Sequence, residues 1–292
     1  MSHVLAVGIA TLDIINTVDH YPVEDSEVRA GVRTVRRGGN ATNTLVLLSQ
    51  LGHRCDWAGV MVETPDTRVI SDELASYSIS TRYCSTVSSG TMPTSCITLS
   101  RATGSRTIVH YRDLDEYGYD SFSGIPLDHF DWVHFEGRNV SEVGRMMRKV
   151  RSLADRPCIS LELEKPRKDI ESLLPLADLC LFSSAFARQK NLGELDLLRS
   201  AQHQAPAAVL VCTRAALGAV GLTPQGEVIE SRASALAQVV DTIGAGDTFN
   251  AGIIDRLLAG EDLESAMRFA NELAGNKCAR YGLHGVPLPG GK

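Results

Sequence analysis

DTIGAGDTFNAG, residues 241–252, is the stretch on which the reading of this chain turns. Beyond Asp247, the apolar residues Phe249, Ile253, Ile254, Leu257 and Leu258 recur at helical spacing, and the segment ends near Gly260. Gly244, Ala245 and Gly246 at a helix start present backbone N–H groups with no bulky side chain over them, and the helix dipole favours negative charge there. A transferring phosphoryl group fits such a turn. Asp247 falls in the first helical turn beside it, where a carboxylate can accept the proton of an attacking hydroxyl. Taken alone, a second reading stands equal to this one: the glycines form a tight turn and Asp247 caps the helix.

Moving outward, RGGNATN at 37–43 precedes the first long helical segment. Paired glycines let backbone approach a small ligand, and Asn40 and Asn43 carry donors and acceptors matched to sugar hydroxyls. That second stretch favours the phosphoryl-transfer reading. Short apolar runs of strand type lie at Val4 to Val7, Trp57 to Met61, Trp132 to Phe135, Cys158 to Leu163, Leu179 to Phe182 and Ala207 to Cys212. Between several of them, Thr44 to Leu51, Ser141 to Leu153 and Leu195 to His203 repeat apolar residues at three and four. Strand alternating with helix predicts a mostly parallel sheet with helices on both faces. Residues 11–37 and 90–112 break the rhythm, with Ser95 to Ser100 and Arg106 to Tyr111 reading as a hairpin around Ala102 to Ser105. They predict a small β lid extruded from a single α/β domain spanning 1–292.

Composition narrows the function. Lys plus Arg number 29 against 35 Asp plus Glu, a net charge of -6 without a basic run, which argues against nucleic acid as partner. The seven cysteines are scattered without a C-x-x-C pair and read as reduced thiols of a cytoplasmic protein. His3 to Ala10 is too short for a membrane span and runs into Asp13, so no membrane association is expected. The eight histidines show no H-x-x-x-H spacing of a metal site. Asp13, after the first apolar run, sits where α/β sheets bind ligands, or else in a solvated turn. Glu162 and Glu164 alternate with Leu161 and Leu163, so both face away from the leucines, either toward metal-bound water or toward helix ends. Arg138 follows a strand and either meets phosphate charge or forms a structural ion pair.

Together, RGGNATN with Gly52 and Gly59 following, and DTIGAGDTFNAG about 200 residues later, resemble the two signatures of the ribokinase-like (phosphofructokinase-B) carbohydrate kinases. The resemblance covers essentially the whole chain, to GVP at 285–287. YPVEDSEVR at 21–29, GSRTI at 104–108, HFEGRN at 134–139 and LELEKPR at 161–167 resemble the ketohexokinase group in particular. What this implies is a three-layer α/β/α sandwich plus β lid, using ATP and Mg2+ to phosphorylate a ketose, fructose first. It also implies a homodimer joined through the lid. By the same resemblance Asp247 is the base, Gly244, Ala245 and Gly246 form the anion hole, and Asp13, Asp25, Gly39, Asn40, Asn43, Arg106, Glu136 and Arg138 hold substrate. Arg214, Gly218, Asn271, Ala274 and Cys278 border the nucleotide, and Glu164 serves the metal. One departure stands out: where many relatives carry an N-x-x-E metal motif, this chain has Ser183, Ser184, Ala185 and Phe186. Rival readings are a kinase of another sugar, sugar acid or nucleoside, and a non-catalytic sugar or nucleotide sensor. A dinucleotide oxidoreductase is disfavoured, since no G-x-G-x-x-G follows the first strand.

Overall fold

The first strand, β1 (His3–Val7), sets the plan of the molecule: Leu5 and Val7 enter one hydrophobic cluster, Val4 and Ala6 the other. A strand alternates its side chains, so apolar residues at every position require cover on both faces. The computed structural model describes residues 1–290. In chain order β1 is followed by β2 (Thr11–Val18), β3 (Val32–Gly38), α1 (Asn40–Gln50), β4 (Arg54–Ala58), β5 (Val60–Val62) and α2 (Pro65–Ser76). Then come β6 (Ser85–Val87), β7 (Thr94–Ser100), β8 (Arg106–Tyr111), α3 (Tyr119–Ser123), β9 (Trp132–Glu136), α4 (Val140–Arg151) and β10 (Cys158–Leu163). The chain continues through β11 (Leu179–Phe182), α5 (Ser184–Gln189), α6 (Glu194–Gln202), β12 (Val209–Thr213), β13 (Ala219–Leu222), β14 (Val228–Ser231), α7 (Ala245–Leu258) and α8 (Leu263–Cys278).

The large sheet runs β14-β13-β12-β11-β10-β9-β1-β4, parallel from β4 to β12 and antiparallel over its last two pairings. One face packs against α3, α4, α5 and α6 through Phe122, Met146, Met147, Phe186 and Leu198; the other packs against α1, α2, α7 and α8 through Leu45, Ile70, Ile253 and Met267. This is a three-layer α/β/α sandwich, as expected. The helices expected at Thr44, Ser141 and Leu195 are present within a few residues as α1, α4 and α6. The strand expected over Trp57 to Met61 is instead divided at Gly59 into the end of β4 and β5, and the position requires glycine, since a Cβ there would press on the Trp57 ring and the Gly8 carbonyl.

A separate four-stranded sheet, β3-β2-β7-β8, joins the two segments that broke the α/β rhythm. The expected hairpin is β7 with β8, pairing Ser95 with His110 and Leu99 with Arg106. Ile15, Ile97 and Leu99 on its inner face pack against Ile243, a residue of the DTIGAGD turn, so the small sheet rests directly on that turn. Every residue of β8 is exposed. Among the described residues no helix is long and apolar enough to cross a membrane. All seven cysteines are free thiols.

Candidate active site

The turn before α7 is built by Asp241. Its Oδ1 accepts from the Ile243 N–H at 2.8 Å and its Oδ2 from Gly282 at 3.1 Å, while the buried Lys277 donates to Oδ2 at 2.9 Å and to the Asp241 carbonyl at 2.6 Å. Burial would raise the Asp241 carboxyl, but Lys277, the Ile243 N–H and Arg36 outweigh it and hold it below the ordinary range. Gly244, the N-cap residue, has φ 82°, a left-handed conformation that a side chain would strain. Gly246 is different: a Cβ there would meet nothing within 4 Å, so packing does not demand a glycine. What its missing side chain leaves is open space above the first-turn amides, which have no carbonyl one turn back within the helix.

Asp247, one residue on, is almost fully buried. Asn43 on α1 donates to its Oδ2 at 2.7 Å. Burial raises its pKa to about 7; the Asn43 hydrogen bond and Arg37 oppose the rise, and Glu164 and Glu136 add to it. A carboxylate poised near neutrality suits proton abstraction at physiological pH. Beside it lies a small cavity lined by Asp13, Arg36, Arg37, Asn43, Glu73, Ile243 and Leu283. Asp13 is buried on β2, with Thr11 Oγ1 donating to its Oδ1 at 2.7 Å, and Gly38 leaves room for its carboxylate.

On the far side of α1 the carboxylates gather. Glu136 accepts from the Ala41 N–H and from Arg138 Nε, each at 2.6 Å, so one oxygen holds the start of α1 and the other is paired with Arg138. Gly8 makes this possible, since a Cβ there would lie 2.6 Å from the Glu136 carboxyl carbon. Glu162 accepts from Asn40 Nδ2 at 3.0 Å through one oxygen, while its Oε2 is buried with no partner. Burial pushes Glu162 well up, with Asp247, Glu136 and Glu164 adding to it. Glu164 lies just past the end of β10 and is partly exposed, facing a recess with Arg138, Lys165 and Arg167. Arg138 pairs with Glu136 at 2.6 Å and Glu116 at 3.6 Å.

On the other side of the turn opens a cleft of about 660 Å³, whose lining includes Thr242, Ala245, Gly246 and Phe249 together with Gly218, Asn271, Ala274 and Cys278. Its walls are largely apolar, as a flat base requires. Asn271 is already committed, donating to the Ser231 carbonyl at 3.1 Å and hydroxyl at 2.8 Å. The DTIGAGD turn is thus a wall shared by cavity and cleft, with Ile243 on one side and Thr242 on the other.

Of the residues singled out in the sequence, Asp13 and Asn43 line the cavity, Asp247 joins them through its hydrogen bond from Asn43, and Gly39 at φ 104° caps α1 outside the lining. Arg106 does not line that cavity; it borders the cleft and donates to Thr242 Oγ1 at 2.6 Å. Asp25 stands on the exposed loop between β2 and β3, outside the cavity lining. Arg214 is not in the cleft wall and pairs with Glu230 at 3.1 Å and Glu194 at 3.9 Å. Sequence reading passed over Arg36, Arg37, Glu73, Leu283 and Lys277. Lys277 carried a legible signal, a charge on the apolar stripe of a helix shared with Ala270 and Leu273. Glu73 carried none.

The chain matches the family described as pfkB family carbohydrate kinase over residues 1–289. It is 35% identical to ketohexokinase of Mus musculus over 97% of this chain and 98% of that protein, and 26% identical to fructosamine kinase FrlD of Bacillus subtilis over 94% and 92%. In three dimensions it resembles ribokinase of Arabidopsis thaliana complexed with ribose and ATP, with TM-score 0.79, 18% identity, and 96% and 94% of the two chains covered. The glycine turn, the buried aspartate beside it and these matches agree: the chain belongs to the pfkB family of carbohydrate kinases and is an ATP-dependent carbohydrate kinase.

Proposed function

We propose that this kinase transfers the γ-phosphoryl group of ATP to a hydroxyl of a ketose, fructose before others, with Asp247 as general base. The observation that carries the reading is the setting of Asp247: a buried carboxylate near neutral pKa, with one oxygen held by Asn43, which lines the small polar cavity, and preceded in the chain by Gly246, which lines the large apolar cleft. A sugar hydroxyl entering from the cavity meets the free side of the carboxylate, while the phosphate chain of a nucleotide in the cleft meets the Gly246 amide turn. Deprotonation and charge stabilisation then act on the same reacting centre. Asp13 and Asn43 serve the sugar; Arg106, bridging the small sheet to Thr242, serves the phosphates. The small sheet acts as a lid, excluding water from the transferring group.

The chemistry of the donors suits Mg2+, which keeps much of its water and leans on substrate phosphates. No group of three or more metal-ligating residues lies together among the described residues. Glu164 and the unpaired Oε2 of Glu162 would accept hydrogen bonds from metal-bound water, without serving as direct ligands. The metal would screen phosphate charge. The free thiols support a cytoplasmic setting. Exposed Ile108, Val109 and Tyr111 on β8 and Val32 on β3 support a homodimer through the lid, and light scattering of a strict monomer with full activity would exclude it.

A coupled ADP-release assay across ketoses, aldoses, amino-linked ketoses and nucleosides tests the substrate. Fructose is expected to give the highest kcat/KM. No release with fructose, against turnover of ribose, adenosine or an aldose, would overturn the ketose reading and leave the kinase family intact.

A further inference from the structure

Arg37 is buried at the end of β3, between Glu73 on α2 and Asn43 on α1. Its NH1 donates to Asn43 Oδ1 and to Thr42 Oγ1, each at 2.8 Å. Thr42 spends its own proton on the Gly38 carbonyl at 2.9 Å, leaving its oxygen free to accept. Glu73 holds the arginine from outside, accepting from NH2 at 3.2 Å and from the Arg37 backbone N–H at 3.0 Å.

A guanidinium only donates, so the Asn43 atom facing Arg37 is its carbonyl oxygen. The amide then has one orientation left. Its Nδ2 points the other way, to Asp247 Oδ2. Without Arg37 the amide is free to turn over and present its oxygen to Asp247, a contact that only a protonated carboxyl, donating its O–H, can make. Arg37 itself makes no hydrogen bond to Asp247 and acts through Asn43.

We propose that Arg37, clamped by Glu73, is a positioning residue that locks the Asn43 amide with its N–H toward Asp247 and so keeps the base ionised and aimed at the substrate hydroxyl. This rests on the reading of Asp247 as the base. The charges facing Asp247 show why a lock is needed. Glu136 on β9, Glu162 on β10 and Glu164 just past its end disfavour its ionised form, whereas Arg37 and the Asn43 donor favour it. The two favourable groups form one chain, so losing Arg37 weakens both. Arg37 is itself paid back little by solvent: burial lowers its pKa, against Glu73, Tyr77 and Asp13.

The test is the pH dependence of kcat/KM, by ADP release from about pH 5 to 10, for the parent and for Arg37→Met, Arg37→Lys, Glu73→Gln and Asp247→Asn. For R37M the acidic limb should move up by about one pH unit, costing roughly fivefold at pH 7, approaching about tenfold at lower pH, and recovering at high pH. R37K should bring the limb back toward the parent, and E73Q should move it the same way by less. A limb unmoved in R37M, or a loss equal at every pH such as a lost sugar contact or general destabilisation would give, overturns the proposal. If R37M does not fold by circular dichroism, an unmoved limb in E73Q overturns it instead. Inactive D247N with an unmoved R37M limb refutes the positioning role alone, whereas D247N with near-parent turnover removes the base and the proposal together.

Discussion

Replacing Lys277 by methionine should destabilise the protein by about 3 kcal/mol. The side chain is fully buried, and its ammonium binds both the carboxylate and the carbonyl of Asp241. Removing one partner of a buried pair costs about 3–5 kcal/mol, because the other charge is left uncompensated. Here the lower end applies, since Asp241 keeps the Ile243 and Gly282 N–H groups and Arg36 at 3.4 Å. Methionine preserves most of the stem volume, so the cost comes from charge rather than from a cavity. For a chain of this size the melting temperature should fall by roughly 5 °C. Urea unfolding of K277M, D241N and the double variant closes the cycle. With both charges gone no unpaired ion remains, so the double variant should lose less than the sum of the singles. Because Asp241 shapes the turn that ends in Gly246, kcat should fall in each single variant as well. The reasoning is refuted if K277M unfolds within about 0.5 kcal/mol of the parent, or if the two losses simply add.

Two further expectations concern the turn and the base. Asp247→Asn should lower turnover by about 10² to 10⁴, read by ADP release. The same variant should be more stable than the parent at alkaline pH: the folded pKa is raised from 3.8 to about 7, so the parent's stability is fully present below the unfolded value and lost as pH rises through 7. The gain is bounded by ~4 kcal/mol and should vanish near pH 4, measured by urea unfolding at both pH values; equal stability of the two proteins at pH 8 would contradict it. Gly246→Ala should keep or slightly raise stability, by up to about 1 kcal/mol as alanine replaces glycine in a helix. It should nevertheless depress kcat, since its methyl group enters the space left open above the amides; unchanged steady-state kinetics with ATP would show that no phosphate approaches there.

What the sequence by itself determined was set by local rules. Alternation in β1, helical spacing in α1, α4, α6 and α7, and glycines where the backbone must turn or lie bare were legible because each is encoded within a few residues. The fold and the two signature stretches followed from them. The tertiary structure alone decided which side chains meet. Asn43 and Asp247 stand 204 positions apart and Arg37 and Glu73 36 apart, and no local pattern records that α1, α2, β3 and α7 bring them within hydrogen-bonding reach. It also moved Arg106 from the expected sugar side to the cleft, took Arg214 into ion pairs with Glu230 and Glu194, and engaged one oxygen of Glu136 with the start of α1 and the other with Arg138. The same holds for the state of Asp247. Its residue type was visible in the sequence, but its proton affinity depends on burial and on carboxylates delivered by β9 and β10, quantities that exist only once the layers have packed.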